Sequence, residues 1–176
     1  KLLEKEGIEV KMPSFAMSTV DIPALPAEIQ AVFEGGYEHV VIDVGGDDTG
    51  AAALGRYAPS IASVRVQMQV LYVVNPMRPL SGTEDDICEM FSLIEARARL
   101  RPDLLVNNAN LQRETTAQVL TEGQVLLENV GKRLRVPVGV VAGYERLKAE
   151  LPQDMQQIFF PMEPLMLPDW LEDDNA

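Results

Sequence analysis

Val70-Leu71-Tyr72-Val73-Val74-Asn75-Pro76-Met77-Arg78-Pro79-Leu80 joins an uninterrupted apolar run to a short loop. The run, residues 70–74, does not alternate with polar residues, a pattern typical of a strand buried on both faces of a parallel sheet. Pro76 and Pro79 then fix the loop and stop the strand. This stretch therefore predicts a strand of a parallel sheet and a rigid turn at its carboxyl end.

Other apolar runs repeat this pattern along the chain. They too are rich in β-branched or aromatic residues and are predicted to be strands. A further candidate, Ile8–Met12, alternates apolar and polar residues and predicts a half-exposed edge strand. The repeated runs are residues 40–44, 104–106, 136–141 and 158–160.

Helical patterns fill the segments between the runs. Residues 84–100 and 115–134 carry apolar side chains at the spacing of a helix stripe, with Ser81 and Thr115 as predicted caps. Shorter helices fit residues 26–34, 48–57 and 144–151. The alternation predicts an α/β fold, a three-layer open and mostly parallel sheet of about six strands with helices on both faces.

Composition excludes several classes of protein. Apolar residues make up 47% and charged residues 24% of the 176, which excludes a disordered or collagen-like chain. The one cysteine, Cys88, and the one histidine, His39, exclude a disulfide framework and any site that needs two of either. Both residues are interpreted as structural. No apolar run could span a membrane and no secretory signal is visible, so we expect a cytoplasmic protein.

The net charge of −12 is concentrated at one end. From Ala149 to Ala176 there are seven acidic residues and no Lys or Arg. Such a charge disfavours direct binding of nucleic acid or of an anionic membrane. Residues 162–176 are predicted to form an acidic tail that packs on the domain through its apolar side chains.

Ligands of an open α/β sheet bind beyond the carboxyl ends of the strands, so the residues after each run are candidates. The run 40–44 contains Asp43 and leads into Gly45, Gly46, Asp47 and Asp48. Asp43 to Gly46 fits Asp-x-x-Gly, in which the Asp holds Mg²⁺ through water and the Gly amide faces the γ-phosphate. The alternative is that Asp43 caps the next helix or turn.

Two other strand ends carry polar residues. After residues 70–74, Asn75 and Arg78 are candidates for contacting a ligand. Arg78 could bind a phosphate or carboxylate group of a ligand, or it could instead be a surface residue that stabilises its own loop. Asn107 and Asn108 follow the next run and offer the donor and acceptor of an adenine edge, although Asn also suits turns for local reasons. The sequence contains no Gly-x4-Gly-Lys-[Ser/Thr] motif, so none of its segments cradles phosphates in the P-loop manner.

These segments, in their order and spacing, closely resemble bacterial ParA/MinD-like P-loop ATPases, of the type also described as CobQ/CobB/MinD/ParA nucleotide-binding proteins. The resemblance covers nearly the whole chain, including residues 3–10 and 21–26. It is carried by residues 41–48, 53–57, 72–80, 106–111 and 114–116.

The resemblance implies that residues 1–161 are a truncated nucleotide-binding domain and that a lysine-bearing Walker A segment precedes Lys1. It places Asp43 at the Walker B position as metal ligand, with Gly46 and Asp47 in the catalytic switch loop. It places Asn108 or Asn107 near the adenine. ATP and Mg²⁺ are the implied cofactors of the full-length protein, a hydrolase. The 176-residue chain itself is expected to be inactive.

Two other readings remain open. One is a non-hydrolysing module that uses the same strand-end surface to bind a protein partner. The other is a GTPase of similar topology, which the absence of an Asn-Lys-x-Asp guanine motif disfavours. The resemblance also implies that a homodimer around the nucleotide is possible and that the partner is an unknown protein. We expect no contact with membrane, because the C-terminus is acidic and differs from a MinD-like basic amphipathic tail, and no direct contact with nucleic acid.

Overall fold

The computed structural model of the chain describes residues 2–11, 28–34 and 36–163. Predictions for residues 12–27 and for the tail from Pro164 onward lie outside the described residues. The chain divides into two compact units. The helical unit comprises Lys1–Gln69 and Met90–Arg101, and the sheet unit comprises Val70–Glu89 and Pro102–Ala176.

The sheet unit is built on four parallel strands that lie side by side in chain order. They alternate with helices, as the runs of β-branched residues and the helix stripes between them predict. The α/β class and the parallel sheet are therefore confirmed. The elements are β1 (Leu71–Val74), α5 (Glu84–Ala98), β2 (Leu104–Asn107), α6 (Ala117–Leu134), β3 (Val138–Gly143), α7 (Gln153–Gln157) and β4 (Phe159–Pro161), with 3-10 turns at Pro79–Ser81, Gln112–Glu114 and Glu145–Glu150.

The connections after β2 and β3 pack together against the sheet. Val141 of β3 shares one buried cluster with Leu120, Leu147 and Met155, which come from α6, the 3-10 turn and α7. The rule that crossovers between parallel strands are right-handed predicts that these two connections lie on one side of the sheet. The helices expected on both faces of the sheet stay a prediction.

β1 is the first strand of the sheet and has a neighbour on one side only among the described residues. Val70 and Val74 accept backbone hydrogen bonds from the β2 side, at 2.8 Å from Asp103 N and 2.9 Å from Asn108 N. Residues of the opposite parity, Leu71 and Val73, therefore direct their backbone groups away from β2. Their side chains are 46% and 56% exposed, so β1 is less buried than its sequence predicts.

Two predicted strands are wrong in the described ranges. Residues 40–44 belong to no strand, and the side chain of Val41 is 93% exposed. Residues 8–11 of the proposed edge strand are likewise irregular, and Met12 lies outside the description. A β-branched sequence forms a strand only where a neighbouring strand takes its backbone hydrogen bonds, and no described strand pairs with either segment.

The caps of the two long helices differ from the predicted ones by one or two residues. Thr83 Oγ1 accepts from Asp86 N at 3.2 Å at the start of α5. Thr116, the N-cap of α6, accepts from Val119 N at 3.3 Å. Ser81, the predicted cap of α5, instead donates to the carbonyl of Asn75 at 2.7 Å and closes the loop after β1.

The helical unit contains α1 (Leu2–Lys5), α2 (Glu28–Val32), α3 (Asp48–Gly55), α4 (Ala58–Val64), a 3-10 turn at Arg65–Gln67 and the later turns of α5. Ile61 is buried in it, and the rings of Phe33 and Tyr57 stack at 5.9 Å. α3 begins at Asp48 as predicted but ends at Gly55, and α4 follows as a separate helix that the sequence reading missed. Across the described ranges, we find no helix long and apolar enough to cross a membrane.

Candidate functional site

The predicted site residues fall into two groups that belong to different units. Asp43, Gly46 and Asp47 lie in the helical unit. Asn75, Arg78, Asn107 and Asn108 lie in the sheet unit, in the loops that follow β1 and β2. Within the sheet unit these two loops are neighbours, since β1 and β2 pair in parallel and end at the same edge.

Asn75 joins the loops after β1 and β2. Its side-chain Nδ2 donates to the carbonyl of Asn110 at 3.1 Å, and its Oδ1 accepts from the amide of Asn110 at 3.1 Å. The same Oδ1 accepts from Met77 N at 3.0 Å. The amide of Asn75 thus satisfies the backbone of both loops, a structural use that leaves one hydrogen of its Nδ2 as a further donor.

Arg78 stands at the exposed surface of the loop after β1. Its backbone is fixed, because its N donates to Asn75 O at 3.1 Å and its carbonyl accepts from Ser81 N at 3.0 Å. Its guanidinium makes no hydrogen bond or ion pair with any residue in the described ranges. The loop therefore presents a positive charge on a rigid backbone, which is what contact with a phosphate or carboxylate requires.

Asn107 and Asn108 have different surroundings. Asn107 is fully buried: its Nδ2 donates to Leu120 O at 2.9 Å and to Gln124 Oε1 at 3.2 Å, and its Oδ1 accepts from Ala109 N at 3.1 Å. These partners leave the side chain no surface for a ligand. Asn108 is half-buried, and its backbone N donates to Val74 O at 2.9 Å. Of the two, Asn108 is the one that a ligand can reach.

Gly123 explains how α6 comes so close to the end of β2. A Cβ at this position would lie 2.7 Å from Ala109 Cβ and 2.9 Å from Asn107 Oδ1. A side chain there would push the helix off the strand end. The close approach is what allows Gln124, one residue on, to hydrogen-bond Asn107.

In the helical unit, Asp43 is exposed and Asp47 is the N-cap of α3. Asp47 Oδ1 accepts from Gly50 N at 2.7 Å. The alternative role considered for Asp43, capping the next helix, thus belongs to Asp47. Gly46 is exposed, and a Cβ at this position would meet no atom within 4 Å.

The described residues contain no cluster of side chains that could hold a cation by themselves. In residues 2–11, 28–34 and 36–163, no three His, Cys, Asp or Glu side chains converge. Mg²⁺ in nucleotide sites takes one or two carboxylates, with substrate phosphates and water supplying the other ligands. A single exposed carboxylate at Asp43 fits that donor set.

Ionisable groups with shifted pKa values lie away from these loops. Burial raises the pKa of Tyr72, on β1, to about 12, and the neighbouring Cys88 acts in the same direction. Burial also raises the pKa of the Cys88 thiol, which fits the interpretation of Cys88 as a packing residue. Neither group is prepared for catalysis by its surroundings.

None of the predicted site residues lines either of two cavities found in the described part of the chain. One, of about 340 Å³, lies where α6 ends and β3 begins, and is lined by residues that include Lys132 and Arg135. The other, of about 530 Å³, lies in the helical unit between α3 and the end of α5. Asp43, Gly46, Asp47 and Arg78 are exposed, Asn75 and Asn108 are half-buried, and Asn107 is buried.

Asn110 and Gln124 are not among the residues that the sequence predicts for the site. Asn110 provides the backbone groups to which Asn75 binds, and its own Oδ1 accepts from Gln112 N at 2.6 Å. Gln124 is nearly buried on α6. One signal pointed to Gln124, because it interrupts the apolar stripe between Leu120 and Leu127.

The chain matches no protein-family model, and no curated protein or solved structure matches it significantly.

Proposed function

We propose that this chain is the nucleotide-binding part of a switch-type ATPase related to the ParA/MinD-like proteins. The observation that carries the proposal is the pair of loops at the carboxyl ends of β1 and β2. Arg78 stands exposed on one loop and Asn108 is accessible on the other, and Asn75 ties the two together. That edge of a parallel sheet is where α/β proteins bind their ligands.

In this proposal Asn108 contacts the adenine edge and Arg78 contacts an anionic group of the ligand. Asn75 positions both by holding its own loop to Asn110. Asn107 has no accessible surface, so its proposed role is to hold α6 and the loop after β2 in place through its hydrogen bonds. Only Asn108 and Arg78 are therefore proposed to touch the nucleotide in the sheet unit.

In the helical unit, Asp43 is proposed to hold Mg²⁺ through a water molecule. The backbone amide of Gly46 is proposed to face the γ-phosphate. When Mg²⁺ is bound, it would neutralise part of the negative charge of the phosphates. Asp47 holds the start of α3 through Gly50, so the loop between Asp43 and Asp47 has a fixed downstream end. Loss of the γ-phosphate would then release this loop and change the affinity for a partner or a second subunit.

ATP hydrolysis measured on the purified 176-residue chain tests the catalytic part of the proposal. The sequence contains no phosphate-cradling lysine loop, so we expect no turnover above the background without protein. Turnover that disappears in Asp43→Ala would refute the expected inactivity of this chain. It would show that Asp43 acts without a Walker A lysine.

A second candidate function is a non-hydrolysing module that binds a protein partner through the strand-end loops. It is favoured by the exposure of Arg78 and the partial exposure of Asn108 on these loops. A GTPase is the third candidate. Competition between ATP and GTP separates it from the first, and absence of binding to either nucleotide favours the second.

A further inference from the structure

A groove in the helical unit brings three arginines together from distant parts of the sequence. It is lined by residues of α3 and the segment after it (Ala52, Gly55, Arg56 and Pro59) and by the end of α5 with the following residue (Ala96, Arg97 and Arg99). Its volume is about 530 Å³. We propose that this groove binds a small, multiply charged phosphate compound.

Contact between the backbones of α3 and α5 creates the groove. A Cβ at Gly55 would overlap the carbonyl oxygen of Arg97, so only glycine allows this approach. The lining includes the small, exposed residues Ala52 and Ala96. The charged residues of the lining are all arginines, namely Arg56, Arg97 and Arg99.

The charges of these arginines are poorly compensated within the described residues. Arg97 Nε lies 3.6 Å from Asp48 Oδ2, while Arg56 and Arg99 form no ion pair with any residue there. Arg101 illustrates the contrast, since it pairs with Glu95 at 2.7 Å. In a chain with 27 acidic and 15 basic residues, two neighbouring arginines without a described carboxylate partner mark an unusual local excess of positive charge.

The shape and chemistry of the groove indicate the class of ligand. A volume of about 530 Å³ falls within the usual range for small-molecule sites and greatly exceeds that of one phosphate group. Guanidinium groups present planar forks of donors that match phosphate oxygens. Three of them around one groove suit a ligand with two or more phosphates, and no carboxylate lines the groove to repel it.

The groove is distinct from the proposed nucleotide contacts, because none of its lining residues is among them. Arg56 lies at the far end of α3 from the Asp43–Asp47 loop, about 12 Å along the helix from Asp48. Arg56 lies at the C-terminus of α3, where a positive charge stabilises a helix through its dipole. Replacing Arg56 therefore changes stability as well, and the stability of each variant is measured together with its affinity.

The experiment titrates inorganic triphosphate into the 176-residue chain and follows backbone amide shifts by NMR. We expect saturable shifts at Ala52, Gly55 and Ala96. Arg56→Gln combined with Arg99→Asn should weaken binding about tenfold or more. Asn is chosen at position 99 because Arg99 has a positive φ of 53°, a conformation that Asn tolerates.

Lys132→Gln is the control for loss of positive charge outside the groove, since it removes one exposed charge in the sheet unit, against two in the double variant. It should leave the affinity for triphosphate within about twofold of the wild type. Urea unfolding reports whether each variant still folds. Arg56→Lys is a second test, because it keeps the positive charge but loses the planar guanidinium group, and we expect it to weaken triphosphate binding less than the double variant does. The proposal is overturned by the absence of saturable shifts, by shifts centred outside the groove, or by equal weakening in Lys132→Gln.

Discussion

Asn75 and Asn110 form a reciprocal pair in which the side-chain amide of one residue acts like a strand for the backbone of the other. Nδ2 of Asn75 donates to Asn110 O and Oδ1 accepts from Asn110 N, both at 3.1 Å. The loops after β1 and β2 are thereby fixed to each other beyond the last pairing of the strands. The proposed ligand contacts lie close to this pair in sequence: Arg78 follows Asn75 by three residues, and Asn108 precedes Asn110 by two.

Asn75→Ala should destabilise the protein by about 1–3 kcal/mol, because it removes the partners of Asn110 N, Asn110 O and Met77 N. Amide hydrogen exchange should accelerate at Asn110 and Met77. Urea unfolding and exchange measure the two effects. Asn110→Ala is the control, since it keeps the backbone groups that Asn75 binds and loses the side-chain bond to Gln112. Unchanged exchange at Asn110 in Asn75→Ala would show that the pair does not hold the loops.

Asn107→Ala should destabilise the protein far more than Asn108→Ala. Asn107→Ala leaves the groups that Asn107 satisfies without partners in a buried site, which should cost about 3 kcal/mol. Asn108→Ala should change stability by no more than about 0.5 kcal/mol, as expected for a partly exposed side chain. Denaturant midpoints compare the two variants, and equal midpoints would contradict the assignment of Asn107 as the buried structural residue.

Gly123→Ala should destabilise the protein by about 1–3 kcal/mol, because its methyl group would lie 2.7 Å from Ala109 Cβ. The same exchange at Gly46 introduces a methyl group into open space and should be neutral or slightly stabilising. Thermal unfolding of both variants makes the comparison. If Gly123→Ala unfolds at the wild-type temperature, α6 does not depend on close approach at this position.

Tyr72 makes the protein less stable at high pH. Its pKa rises from 10.0 to about 12 on folding, so the unfolded chain releases the proton first as the pH increases. The free energy of unfolding is therefore unaffected by Tyr72 below pH 10 and falls between pH 10 and about 12. Tyr72→Phe should make this decline shallower in urea unfolding across the interval. An identical decline in both proteins would show that other groups cause it.

Much of the sheet unit follows from local sequence patterns. The apolar runs at 70–74, 104–106, 136–141 and 158–160 predicted the four strands to within a few residues, because each run has a parallel neighbour that takes its hydrogen bonds. The run at 40–44 has the same composition but no described neighbour, and it is not a strand. The composition of a segment indicates only that it could form a strand. Whether it does so depends on a neighbouring strand that takes its backbone hydrogen bonds.

The neighbourhood of the two loops in the sheet unit could be predicted from the sequence, but the role of each side chain could not. The strand-end rule selects the loops that carry Asn75, Arg78 and Asn108, and the structure places these loops side by side. The rule did not separate Asn107 from Asn108, since the burial of one and the exposure of the other depend on how closely α6 approaches. That distance is set by Gly123, which lies 16 residues further along the chain from Asn107. A single sequence gives no signal of contacts at such a separation.

Calorimetric titration of Mg²⁺-ATP into the complete gene product, beside its Asn108→Ala variant, tests the central claim most directly. The account predicts saturable binding of ATP, weaker binding of GTP, and about tenfold or greater loss of ATP affinity in Asn108→Ala with an unchanged denaturant midpoint. Absence of ATP binding, equal affinity for GTP, or full ATP affinity in Asn108→Ala would contradict it.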